Sequence, residues 1–93
     1  MYHKNDYDFN PYNLGIIAIR QMQQEKIDLS IDLFNFLLEE YPDVGSILYY
    51  YLGLAHLKQG RNTLAKSDFN RVIELDSGDI RAMEILHEID PYE

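Results

Sequence analysis

One spacing occurs twice in this chain and restricts what it can fold into. Ala65 is followed after four residues by Phe69 and after three more by Val72, and 35 residues upstream Ser30, Phe34 and Leu37 repeat the arrangement. Ahead of each copy lies an apolar segment with a small residue at the matching place, Ala18 in the first and Gly53 in the second. Residues four apart on a helix share a face, so each copy sets a ring one turn beyond a small residue. Small residues let two helices approach closely, and the ring fills the gap beside them. A two-helix unit recurring at this period is the signature of a stacked repeat array, in which each unit buries its apolar face only against its neighbours.

The fuller copy spans 46–79. It reads Tyr49-x-x-Leu52-Gly53-x-x-His56, then Ala65-x-x-x-Phe69-x-x-Val72, and closes in Asp76-Ser77-Gly78-Asp79. The copy at 11–44 is degraded, with Leu14, Ile17, Ala18, Ser30, Phe34, Leu37 and Pro42 in matching places. Together they resemble two tandem tetratricopeptide repeats. The departures from that family's pattern are Tyr49 where Trp is usual, His56 where Tyr is usual, Leu37 and Val72 where Ala is common, and Ser77 where Pro is common. Gln21 also stands where the first copy would carry a ring. The resemblance implies an all-α fold, a right-handed α-α superhelix of two helix-turn-helix repeats. A capping helix at about 79–89 closes one domain over 11–93, and a segment at 1–10 precedes it.

Local signals predict the same five helices. Asn10-Pro11 reads as a cap followed by proline in a first turn, and the apolar run from Leu14 to Met22 breaks at Glu25-Lys26. Asp28 is the expected cap of a second helix with the stripe Leu29, Ile31, Leu33, Phe34, Leu37 and Leu38, ended by Pro42. A third helix over about 46–59 is apolar nearly all round, which requires burial on more than one face. Gly60 should stop it, and Asn62 should cap a fourth that turns Leu64, Ala65, Phe69, Val72 and Ile73 inward. Asp79 caps the last.

Composition narrows the function. Sixteen acidic residues against eight basic ones leave a formal charge of −8, and without a Lys or Arg stripe neither nucleic acid nor an anionic membrane is an expected partner. Cysteine is absent, which excludes thiol chemistry. The first eight residues lack the apolar core of a signal peptide, and no run reaches the ~20 residues that span a bilayer, so a cytoplasmic location is the default expectation. Glu84 and His87 have half the spacing of a di-metal bundle site, but the second motif that such a site needs is missing. They read as a surface pair, His56 reads as a packed core ring, and the acidic turn at 76–79 is too short for a calcium loop. No catalytic residue, metal, cofactor or small-molecule substrate is expected.

What remains is binding. In tetratricopeptide arrays the first helix of each repeat lines a concave groove, and the resemblance carries those positions onto Tyr12, Gly15, Ile19, Met22 and Gln23, then Ile47, Tyr50, Leu54, Leu57 and Lys58. Glu84 and Glu88 of the capping helix would close the end. Relatives that clamp acidic tails place Lys, Asn and Arg on this face, because a carboxylate needs fixed donors. Here the stripe is apolar, which suits a hydrophobic or amphipathic peptide. The expectation is an adaptor or chaperone-like interaction module; small secretion-system chaperones are similar to this type. The alternatives are a homo-oligomer built through the same groove, and cover by the chain's own Tyr2, Tyr7 and Phe9.

Overall fold

The computed structural model describes residues 11–42 and 45–90, without the side chains of Pro11 and Tyr12. Five helices follow one another: α1 (Pro11–Gln23), α2 (Ile27–Glu40), α3 (Gly45–Lys58), α4 (Asn62–Leu75) and α5 (Ile80–Ile89). No strand occurs among the described residues. Each helix packs on the next, and α1 also touches α3. The first helices of the units therefore form one layer, with α2 and α4 behind them. The N-terminal aromatics Tyr2, Tyr7 and Phe9 lie outside the described residues.

Two turns of the same construction set this geometry. Glu25 (φ 67°) and Gly60 (φ 75°) both take the left-handed conformation. At the first turn the Glu25 amide donates to the Met22 carbonyl and the Lys26 amide to that of Gln21; at the second, Gly60 donates to Leu57 and Arg61 to His56. Each is a Schellman closure, which satisfies carbonyls left over at a helix end. The residue that closes one helix at once becomes the N-cap of the next, so Lys26 and Arg61 occupy the caps and neither makes a side-chain cap bond. The caps expected at Asp28 and Asn62 are thus displaced into the helices. Asp79 does cap α5, accepting from the Ala82 amide at 3.1 Å.

The core has two centres, each built around one of the repeated rings. Phe34 lies with Ala18, Leu37, Leu48 and Leu52, and Phe69 lies with Ala65, Val72 and Ala82. Both phenylalanines are fully buried. Adjacent rings on α3 join the centres: Tyr51 stacks on Phe34 at 6.3 Å, Tyr50 meets Phe69 edge-on at 5.8 Å, and the two tyrosines touch at 5.4 Å. This explains why α3 is apolar on nearly every side. Leu29 and Leu64, expected inside, are instead 47% and 44% exposed. Each directly precedes a buried small residue, Ser30 or Ala65, and one residue turns a helix position by about 100°.

Gly53 is the tightest point of the fold, since a Cβ there would come within 2.7 Å of the Phe69 ring. At Gly15 the nearest atom to such a Cβ is Leu48 Cδ2 at 3.9 Å, an ordinary contact. The same substitution should therefore have opposite signs at the two sites. Gly53→Ala should destabilise by roughly 1–3 kcal/mol through overpacking, while Gly15→Ala should stabilise by about 0.5–1 kcal/mol because alanine favours a helix interior. Thermal melts of both variants check this, and equal shifts would contradict the packing described. Glu25→Gly should also stabilise, by about 1 kcal/mol, by relieving a left-handed non-glycine residue; an unchanged chemical-denaturation midpoint would show that the turn carries no strain.

Candidate functional site

The residues assigned to a concave groove do not all reach the surface. Ile47 is 45% exposed, Gln23 and Lys58 are exposed, and Ile19, Tyr50, Leu54 and Leu57 are partly covered. Ile19 leans on the Phe34 centre, and Tyr50, Leu54 and Leu57 lean on the Phe69 centre. Met22 is only 4% exposed. It belongs to the interior and offers no adaptable side chain to a ligand, because its position on α1 is one turn beyond Ala18, on the buried face. Gly15 is likewise buried, and the Tyr12 side chain lies outside the described residues.

Arg81 was absent from the sequence reading of this face. Its guanidinium lies 4.3 Å above the Tyr50 ring, a cation–π arrangement that joins α5 to α3. Asp79 holds the other side of the guanidinium, with Oδ2 3.3 Å from the terminal nitrogen. The Arg81 hydrogen bond, followed by the Ala82 amide, keeps the Asp79 carboxyl below its ordinary range, although burial acts the other way. A cation therefore covers the ring that the sequence presented as a bare anchor. The sequence signal was weak: Arg81 lies just after a helix start, where nothing local indicates the partner 31 residues upstream.

A second polar contact lies in the seam between α3 and α4. His56 Nδ1 is 2.5 Å from Asp68 Oδ2, and the two residues are 9% and 8% exposed. His56 is buried as its place in the pattern implies, but its hydrogen-bond partner was not foreseen. The first copy has Gln21 and Leu33 at the corresponding positions, so the pair is not repeated. Burial pushes the Asp68 carboxyl above its ordinary value, outweighing the opposing hydrogen bond and charge of His56. Glu84 and His87 are exposed, and among the described residues no three His, Cys, Asp or Glu side chains gather as metal ligands would.

Residues 46–79 match the family model described as tetratricopeptide repeat. That match decides the type of fold. The segment is similar to a tetratricopeptide repeat, and the five-helix array fits a repeat protein of that kind. The match covers the second copy; the first is tied to it by the paired Ser30/Ala65 and Phe34/Phe69 positions, all four fully buried. No curated protein and no solved structure gives a significant match to the chain. The tetratricopeptide family is a non-catalytic family whose general role is protein–protein interaction. Among the described residues no helix is long and apolar enough to cross a membrane.

The raised Asp68 carboxyl makes a pH test possible. A carboxyl whose folded pKa is raised favours folding fully below its unfolded value, about 4, and that contribution is lost as pH rises through the folded value. Asp68→Asn keeps an oxygen facing His56 and removes the titration. Its melting temperature relative to the parent should therefore climb from about pH 4 toward neutrality, and a pH-independent difference would contradict the assignment. His56→Ala should cost about 1–3 kcal/mol at neutral pH by leaving a buried carboxylate unpaired.

Proposed function

We propose that this protein is an interaction module that holds a hydrophobic or amphipathic segment of another protein along the layer formed by α1, α3 and α5. The observation that carries this reading is the partly open apolar line Ile19, Ile47, Tyr50 and Leu54 on that layer, with Ile47 45% exposed. Extended or helical segments bind such surfaces by inserting alternate apolar side chains, and polar groups at the rim fix their register. Gln23 and Lys58, both exposed, supply such a rim. Of the cations on this face Arg81 is already engaged by Asp79 and Tyr50, and Lys58 at the rim does not by itself make the set of fixed donors that a C-terminal carboxylate needs. An adaptor or chaperone-like role follows from this mode of holding, and assembly of two copies through the same layer is the alternative.

Ile47→Glu is the decisive substitution. Its site is in the first turn of α3 (Gly45–Lys58), where a carboxylate complements the helix dipole, so folding should change by less than about 0.5 kcal/mol. A partner covering the site would strand that charge without water, and binding should fall at least tenfold. Leu64→Glu on α4, at a site 44% exposed, is the control and should leave binding intact. Quantitative pull-down from native lysate reads a foreign partner, and sedimentation equilibrium reads a second copy. If Ile47→Glu retains every partner and the parent's oligomeric state, the layer is not the functional surface.

A further inference from the structure

Resting on that reading of the α1–α3–α5 layer, we infer that its partner is a basic amphipathic segment, whose apolar side chains meet Ile19, Ile47 and Leu54 and whose Lys or Arg residues meet Glu84 and Glu88. Along α5, Arg81, Glu84 and Glu88 follow at helical intervals of three and four and so share one side. The contact of Arg81 with Tyr50 fixes that side as the one turned to α3. Asp79 offsets the charge of Arg81. Glu84 and Glu88 are exposed and have no hydrogen-bond or ion-pair partner among the described residues.

The placement works against α5 itself. Two like charges four residues apart repel, and Glu88 lies in the last turn of a ten-residue helix, where the dipole disfavours an anion. A ligand cation would relieve both. The same charges decide between occupants. A second copy would bring another formal charge of −8 to a surface that is already acidic, and the chain's own segment at 1–10 brings Asp6 and Asp8 against Lys4. A basic segment is the occupant that the field attracts, both at the groove wall and over the whole protein.

The test uses fluorescence anisotropy of the full chain with three labelled peptides: a Leu/Lys amphipathic helix, a Leu/Glu helix of identical apolar pattern, and a Ser/Lys peptide of equal charge. The Leu/Lys peptide should bind at least tenfold more tightly than either of the others. Replacing both Glu84 and Glu88 by Gln should weaken it about tenfold and flatten its salt dependence, whereas replacing Glu39 and Glu40 of α2 by Gln, an equal change in net charge, should alter it less than twofold. The Gln variants remove the like-charge repulsion within α5, so loss of folding should not obscure the result. Equal weakening by the two double variants, or equal binding of the Ser/Lys peptide, would reduce the effect to diffuse attraction and overturn the proposal. Preference for the Leu/Glu peptide, abolished by Ile47→Glu, would overturn the basic class and leave the groove reading standing; Leu/Lys binding unaffected by Ile47→Glu would remove the groove reading itself. A dimer that dissociates in Ile47→Glu, or peptide binding that appears only after deletion of residues 1–10, would assign the layer to a second copy or to the chain's own segment and overturn the proposal.

Discussion

The approach of Gly53 to Phe69 is the constraint on which the rest of the structure depends. With 2.7 Å between the ring and the place a Cβ would occupy, no other residue fits at Gly53 unless the Phe69 ring shifts. The ring thereby lies under α3, where Tyr50 meets it edge-on. Tyr50 is in turn covered by Arg81, and Arg81 is held by the same Asp79 that caps α5. A single close contact between two helices is therefore linked through Phe69, Tyr50 and Arg81 to the placement of the third. In the first copy Ala18 replaces glycine and the corresponding ring, Phe34, is stacked by Tyr51 instead. The two units have one plan and differ in the residue at this contact and in the ring that meets it.

How much of this was legible in the sequence follows from the range of each interaction. The helices were readable because their determinants are local: apolar periodicity, Gly60 with its left-handed φ, and Asp79 as a cap. The register was readable because Phe34 and Phe69 mark the same place twice. Asp28 and Asn62 misled because a cap preference is a property of one residue, whereas the Schellman closures at Glu25 and Gly60 involve the preceding helix and leave no free position. Leu29 and Leu64 lie beside the buried stripe and not on it, because the angle around the helix decides burial and hydrophobicity alone does not. The polar contacts His56–Asp68 and Arg81–Tyr50 join residues on different helices, and nothing in either local sequence encodes the partner.

The first and last described helices differ from α3 in what they expose. On α3, Leu48, Leu52 and Ala55 are buried, with exposures of 6%, 4% and 0%, and the two leucines join the Phe34 centre of the preceding unit. Thirty-five residues earlier α1 has Asn13, Ile17 and Arg20 in those places, all exposed. Two of the three are polar, so this face of α1 tolerates water where the same face of α3 does not. At the other end, burial aligns Ala82, Leu86 and Ile89 of α5 with Leu48, Leu52 and Ala55, an offset of 34 residues. That register puts His87 where α3 has Gly53. A helix bearing a Phe69-like ring approaches glycine; against an imidazole it must stand off by the depth of a side chain. The close Gly53–Phe69 seam thus has no counterpart at His87 of α5, and the exposed faces of α1 and α5 are mixed, with Ile16, Ile17, Ile80 and Met83 open beside polar residues. For the proposed binding reading, the described part of this layer offers Ile47 open and Ile19 and Leu54 partly open, which suits one or two apolar anchors of a ligand.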